Sequence, residues 1–262
     1  MHRSLTALLT ALLALALPAV LGAQENYEIQ VYGSETMAPG RTMFELHSNW
    51  TATGRRVAAD GLLPTNHAVH ETVEITHGFT GWSELGVYLF TSAAPGQGWQ
   101  VVGSHLRPRV RAPESWALPV GLSLSAEFGY QRRDFSEDTW SMELRPIIDK
   151  QLGRWYGSLN PTVERAFHGA GTSAGLELSP NAALTYDATS KVNVGVEYYG
   201  ALGSTRGGLD ALGDQEHVLY GVVNLDFGPD WEFNAGYGQG LTHAGDRRVV
   251  KLILGRRTGK AR

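Results

Sequence analysis

Charged and histidine side chains recur at alternate positions along several short segments of this sequence, and they are the residues that could do chemistry. Carboxylates beside guanidinium groups form ion pairs, and a histidine beside a carboxylate can bind a metal or exchange a proton. Charges of both signs would neutralise one another if they faced a common interior. The candidates are Glu45, His47, His70, Glu74, His105, Arg107, Arg109, Glu127, Glu143 and Arg145.

Metal binding is one chemistry that this set could support. His47, His70 and His105 could converge with Glu45 or Glu74, and histidine is a common metal ligand. Their spacing matches no compact ligand motif, and the chain has no cysteine for a thiolate site or a thiol nucleophile. We therefore predict no metal site and no cofactor.

Nucleophilic catalysis would require a serine and a histidine on one face, with a third group orienting the imidazole. The pairs His47-Ser48 and Ser104-His105 fail this test, because consecutive residues of a strand point to opposite faces. The sequence also has no GxSxG nucleophile elbow. We expect no catalytic residues and no enzyme. A lipase that assembles its site across several strands is the alternative.

The composition combines much glycine with little charge. Glycine supplies 32 of 262 residues, while 18% are charged and 42% are hydrophobic. The formal net charge of −4 and the absence of long basic runs set nucleic-acid binding aside. A mean hydropathy of −0.19 excludes a bundle of membrane helices. It does not exclude a membrane β-barrel, in which apolar and polar residues alternate.

The N-terminus has the layout of a secretory signal peptide. A basic start is followed by an almost wholly apolar stretch over residues 5–21 and by the small residues Gly22 and Ala23. About 20 apolar residues are needed to span a membrane comfortably, and this stretch is shorter. A retained N-terminal membrane anchor is therefore the less favoured alternative. We predict a signal peptide over 1–24, a periplasmic N-terminal arm over 25–41 and a β-barrel over 42–262. Whether the polar arm instead enters the bore as a plug stays open.

Twelve segments of about ten residues show the period-two alternation of β-strands, separated by clusters of Gly, Pro, Asn, Asp and Ser. In the first segment Phe44, Leu46 and Trp50 share one face, while Glu45 and His47 share the other. Long and short connections tend to alternate, which is typical of outer-membrane barrels. The segments are 42–51, 68–77, 82–91, 99–110, 120–130, 139–148, 154–164, 174–186, 191–200, 216–227, 231–240 and 247–256.

This pattern predicts an all-β fold, a single closed antiparallel transmembrane β-barrel of about 12 strands and of the outer-membrane type. Only helices and closed barrels can cross hydrocarbon, and a barrel needs strands of about 9–11 residues with alternate side chains facing lipid. Aromatic residues at the segment ends would form the two interfacial girdles. They are Trp50, Trp82, Trp99, Trp140, Trp155, Tyr186, Tyr198 and Trp231.

Three stretches carry a resemblance to a known family. They are the hairpin EITHGFTGWSELG at 74–86, the strand VGVEYYG at 194–200 and the closing KLILG at 251–255. They resemble bacterial outer-membrane barrels grouped as the meta-pathway of phenol degradation family. The resemblance implies a transporter-like barrel that passes small, aromatic or hydrophobic solutes, and it supplies no catalytic residues. Such barrels usually finish on a strand with a terminal aromatic residue. This chain departs from that pattern, because residues 256–262 contain no aromatic residue.

The interpretation that follows is a channel or transporter for small solutes in the bacterial outer membrane. Its expected partners are outer-membrane lipid, the barrel-assembly machinery and small-molecule solutes, with no nucleic acid. The ten candidate side chains then line the bore, where they either fill it with salt bridges or form a charged constriction that selects solutes. The alternatives are a plugged structural barrel that binds partners through loops 52–67 and 201–215, and a soluble β-sandwich or lipocalin-like carrier.

Overall fold

The computed structural model describes residues 26–260, so the predicted signal peptide over 1–24 lies outside the described residues. All twelve predicted strands are present, and we number them in chain order. They are β1 (Thr42–Thr53), β2 (Val69–Thr80), β3 (Ser83–Ala94), β4 (Gly98–Arg111), β5 (Gly121–Gln131), β6 (Asp138–Leu152), β7 (Trp155–Gly169), β8 (Glu177–Asp187), β9 (Val192–Ala201), β10 (Glu216–Leu225), β11 (Trp231–Gly240) and β12 (Arg248–Thr258).

Each strand pairs antiparallel with its neighbours in the chain, and the sheet closes on itself where β1 pairs with β12. Thr42 lies opposite Thr258 at this seam, and Leu46 lies opposite Leu254. Closure leaves no free strand edge, which is the condition for a sheet to cross a membrane. The prediction of a closed twelve-stranded barrel is confirmed.

The connections contain little other regular structure. Two short strands, Gly203–Ser204 and Gly208–Leu209, pair in the connection between β9 and β10. Two short 3-10 helices cover Glu114–Trp116 and Ala170–Ser173. Between residues 26 and 260, no helix is long and apolar enough to cross a membrane. We call the end where β1 begins and β12 ends the lower end of the barrel, and the opposite end the upper end.

The polarity of the inner and outer faces of the sheet is the reverse of that in a soluble barrel. On β1 the inward side chains of Glu45 and His47 are buried, whereas Phe44 and Leu46 point outward and are 46% and 41% exposed. The same arrangement holds around the sheet, which gives a polar interior and an apolar outer belt. A lipocalin-like carrier would need the apolar faces inside, so the structure contradicts the soluble alternative.

Exposed tryptophans lie near both ends of the outer surface. Trp50, Trp99 and Trp140 lie at the upper end, while Trp82 and Trp155 lie at the lower end, where Trp231 joins them. Aromatic rings at these two levels match the interfacial girdles of a membrane barrel, with the apolar belt between them facing hydrocarbon.

Two residues depart from the strict alternation of the predicted segments. Strict alternation assigns Val102 to the outer face, but the side chain is fully buried in the bore. A β-bulge causes this, since Phe90 pairs with Gly103 and Thr91 pairs with Val101, which leaves Val102 as an extra residue. The same alternation would place Lys191 on the inner face, but it is exposed in the bend that precedes β9, because that strand begins at Val192.

The outer belt predicts a depth-dependent cost for a charged residue. Leu89 lies outward at the middle of β3, and Leu152 lies outward at the end of β6. We expect Leu89→Arg to lower the free energy of unfolding by about 2–4 kcal/mol and Leu152→Arg by about 0–1 kcal/mol. Reversible urea unfolding in lipid vesicles, followed by tryptophan fluorescence, measures both. Equal costs at the two positions would contradict a membrane-spanning belt.

Candidate functional site: the bore of the barrel

All ten side chains selected from the sequence point into the bore. Nine of them belong to residues that are no more than 9% exposed, and the side chain of Glu143 is 22% exposed. Alternation places them there, because each lies at an inward position of its strand. The bore therefore concentrates charges of both signs away from bulk water.

One group of ion pairs spans strands β2, β3 and β4. The guanidinium of Arg107 lies 2.5 Å from Glu74 Oε1 and 3.4 Å from Glu84 Oε1, and it also donates to Thr76 Oγ1 at 3.2 Å. Arg109 Nε lies 2.7 Å from the same Glu84 oxygen. These buried arginines are thus neutralised by carboxylates of adjacent strands.

A second group lies on β4, β5 and β6. His105 Nδ1 lies 2.6 Å from Glu127 Oε1, and Arg145 lies 2.7 Å from Glu143. Arg145 also reaches Glu28 of the N-terminal segment at 3.4 Å. By order along the chain, Arg107 and Arg109 would face Glu127 and Glu143 on the following strands, but the structure pairs them with Glu74 and Glu84 on the preceding ones.

Glycines opposite the long side chains explain the observed pairing. Arg107 is paired in register with Gly86, and a Cβ at Gly86 would approach its guanidinium to 3.2 Å. The arginine can therefore lie across β3 and reach Glu74 on β2. In the same way His105 lies over Gly129 of β5, where a Cβ would meet the imidazole ring at 1.8 Å. These glycines steer each side chain toward its partner.

Residues 26–37, which we call the bore segment, run through the inside of the barrel. At the upper end Asn26 donates to Asp246, which lies between β11 and β12. At the lower end the Met37 amide donates to Glu84. The sequence predicted a periplasmic arm and left open a plug. The placement of the bore segment corresponds to the plug.

Side chains from several strands hold the backbone of the bore segment. Thr72 donates to the carbonyl of Tyr27 at 2.7 Å, and Lys251 donates to the carbonyl of Ile29 at 3.0 Å. Two apolar clusters complete the packing. Ile29 lies in a cluster with Tyr199, Val218, Tyr220, Val222 and Val249, and Tyr27 lies in another with Tyr88, Phe90 and Val102.

Tyr32 is the central anchor of the bore segment. The guanidinium carbons of Arg107 and Arg145 lie 4.8 Å from the centre of its ring, and that of Arg109 lies at 5.5 Å. Cations above an aromatic face are attracted by the ring quadrupole, more strongly when water is excluded. Three arginines from β4 and β6 therefore converge on one side chain of the bore segment.

Hydrogen bonds fix both the hydroxyl and the backbone of Tyr32. Its hydroxyl donates to Glu28 Oε1, and its amide donates to Asn160 Oδ1 at 2.8 Å. Ser158 and Asn160 donate to its carbonyl at 2.6 and 3.0 Å. Every polar group of this buried residue thus has a partner.

Two cavities lie at opposite ends of the bore. The lower cavity has a volume of about 1090 Å³ and is bordered by Gln30 to Ala38, whereas the upper cavity of about 620 Å³ is bordered by Asn26 to Glu28. The bore segment therefore reaches both cavities and lies between them.

The charge of the two cavities differs. The lower one is nearly balanced, with seven acidic and six basic residues in its wall. The upper one has only three arginines, Arg55, Arg145 and Arg206. Its acidic residues number nine, and they are Glu28, Glu127, Asp134, Glu137, Asp138, Glu143, Glu164, Glu177 and Asp210.

The serine and histidine pairs considered for catalysis are separated by the sheet. Ser48 bonds Glu71 on the outer surface, while His47 is buried in the bore. Ser104 likewise faces outward, opposite to His105.

Sequence reasoning missed Tyr32, Asn160 and the other groups that seat the bore segment. Tyr27, Glu28 and Ile29 are buried in succession, because the bore segment is surrounded by protein on all sides. Such a segment has no alternation of polar and apolar residues from which its position could be predicted.

Comparison with known proteins gives two kinds of match. The model of the family described as "Putative MetA-pathway of phenol degradation" matches residues 113–252, just over half of the chain. The crystal structure of the COG4313 outer membrane channel from Pseudomonas putida F1 is similar with a TM-score of 0.59 at 14% identity, covering 88% of this chain and 100% of that one.

The KdgM porin is similar with a TM-score of 0.52 at 10% identity, covering 83% of this chain and 99% of that one. A comparison with curated proteins finds no significant match. At these identities the two solved structures support the fold that the strand register already defines.

The lattice predicts that Arg107 contributes strongly to stability. Arg107→Gln leaves the buried Glu74 carboxylate without its guanidinium partner, and removing one member of a buried pair costs about 3–5 kcal/mol. Arg132→Gln is the matched control, because Arg132 pairs with Asp134 at the surface, where such a pair contributes about 0–1 kcal/mol. Unfolding free energies in vesicles test the difference, and a similar small loss in both variants would contradict the lattice.

Proposed function

Because the chain belongs to the family described as "Putative MetA-pathway of phenol degradation", we propose that it is a bacterial outer-membrane channel for small solutes. The observation that carries this proposal is the pair of cavities at opposite ends of one bore, separated by the chain's own N-terminal residues. A channel needs a polar path through a closed barrel, and the polar inner face supplies that path. The bore segment then acts as the plug that sets how far the path is open.

Delivery of the chain follows from the same proposal. Residues 1–24 serve as the export signal, and the barrel-assembly machinery inserts the exported chain among outer-membrane lipids. The apolar outer belt and its two aromatic girdles support this location. Residues 26–41 and the barrel then act together, with the bore segment seated inside the strands.

The kind of solute is suggested by the upper cavity and by the family. An excess of carboxyl groups attracts cations and repels anions, so small cationic or uncharged solutes are favoured at this entrance. Tyr27 and Phe135 also border the cavity and offer aromatic surfaces. We propose small aromatic or hydrophobic solutes without negative charge as the preferred class, consistent with the family's link to phenol degradation.

Release of the bore segment is expected to raise conductance. Tyr32→Ala removes the ring that contacts three arginines and the hydroxyl bonded to Glu28, so we expect a several-fold rise in single-channel current in planar bilayers. Tyr237→Ala is the matched control, because Tyr237 is half exposed on the outer face. A chain lacking residues 26–37 should conduct still more. If all of these proteins stay silent, the barrel is a plugged structural protein and the channel proposal is wrong.

Ion selectivity is expected to follow the upper cavity. In the Tyr32→Ala background, a potassium chloride gradient at mildly alkaline pH should give a reversal potential that favours potassium over chloride. Glu164→Gln combined with Glu177→Gln removes two carboxyl groups from the cavity wall and should lower this preference. Asp226→Asn, in the turn between β10 and β11, removes a charge outside both cavities and should leave it unchanged. Equal shifts in both variants would disprove selection at this cavity.

A further inference from the structure

Three side chains on β1 and β2 form a compact cluster of two carboxylates and one imidazole inside the bore. Glu45 and Glu74 are direct partners across the two strands, and His47 is the next inward residue after Glu45. One ligand atom from each side chain lies within 4.8 Å of the other two. The cluster is shielded from solvent, since Glu45 is 9% exposed and His47 and Glu74 are fully buried.

Several possible ligand atoms of this cluster lack good hydrogen-bond partners. Glu45 Oε1 and His47 Nδ1 are buried without one. His47 Nε2 approaches Glu74 Oε2 to 3.3 Å. Two ligands that each lie about 2.1 Å from a tetrahedral zinc ion are separated by about 3.4 Å. The His47–Glu74 separation matches one edge of such a coordination shell.

The surroundings orient one carboxylate as a ligand. Arg107 and Thr76 both donate to Glu74 Oε1 at 2.5 Å, which leaves Oε2 directed toward His47. Hydrogen bonds to the second oxygen of a ligating carboxylate are a regular feature of metal sites. Arg107 balances one of the two carboxylates, and the other needs further positive charge to be buried at low cost. A divalent cation would supply it.

We infer that Glu45, His47 and Glu74 form a binding site for one divalent transition-metal ion of the zinc class. Imidazole nitrogen and carboxylate oxygen together suit zinc, with Glu45, His47 and Glu74 giving three ligands and a water completing a tetrahedron. Glu45 and Glu74 border the lower cavity, which provides a route for the ion and the water. The bound ion would tie β1 to β2 beside Arg107 and so strengthen the lattice.

The other two histidines considered with this cluster do not join it. His70 packs its ring against Tyr27 at 4.9 Å, and His105 bonds Glu127. The prediction of no metal site rested on spacing along the chain. The sequence named these residues among the possible ligands, but only the register of β1 with β2 shows that Glu45 faces Glu74.

Zinc binding to the full chain in detergent tests the inference and does not depend on conduction. After treatment with a chelator, the wild-type protein should bind one zinc ion per chain. Glu45→Gln and His47→Gln each remove one of three ligands and should weaken binding by at least about 100-fold, beyond the loss seen when only a supporting residue is changed. His70→Gln is the matched control, a buried histidine on the neighbouring strand, and should bind zinc as the wild type does.

The possible outcomes separate a metal site from an ion pair. No zinc bound to the folded wild type means that His47 and Glu74 form an ion pair only, and it overturns the inference. Zinc binding that survives in both ligand variants also overturns it. If those variants do not show the heat-modifiable gel mobility of a folded barrel, the deciding measurement is the visible absorption spectrum of the wild-type protein loaded with cobalt. Intense tetrahedral absorption bands support the site, and weak octahedral bands alone refute it.

Discussion

Arg107 is almost fully buried in a bore closed by twelve strands, and a guanidinium in that position must be neutralised by groups of the protein itself. It is neutralised by Glu74 and Glu84, it contacts the rings of Tyr32 and Tyr88, and it is bonded to Thr76. The neighbouring strands and the bore segment are arranged around this requirement. The strands bring the carboxylates to it, and the bore segment covers the face of the guanidinium that the carboxylates leave open.

Glycine makes this arrangement possible. A closed sheet of twelve strands brings its inward side chains close together, and two long side chains opposite each other would not both fit. Gly86 and Gly129 give up that space to Arg107 and His105. Gly33 does the same for the bore segment, since a Cβ there would meet the Tyr156 hydroxyl at 2.6 Å. Part of the high glycine content thus provides the space that the buried charged side chains occupy.

The fold could be predicted from the sequence because a membrane imposes one rule on every strand. Alternation located the twelve strands and assigned Glu45, His47 and Arg145 to the interior. It failed at Val102, where a bulge shifts the phase, and it could not identify the partners of Arg107. Those partners depend on register and on a glycine one strand away. The bore segment has no alternation to detect, since Tyr27, Glu28 and Ile29 are all buried in succession.

The lattice and the bore segment differ in how much each needs the other. Arg107, Arg109 and Arg145 have carboxylate partners on the strands, in Glu74, Glu84 and Glu143. Withdrawal of the bore segment would leave these pairs intact and would let water replace the bonds that Ser158 and Asn160 make to Tyr32. The main cost is the loss of the ring contacts, of the Arg145–Glu28 ion pair and of the contacts that Tyr27 and Ile29 make in the two small apolar clusters. A strand lattice whose arginines are already paired, with a segment held mainly by replaceable contacts, is the arrangement that a removable plug requires.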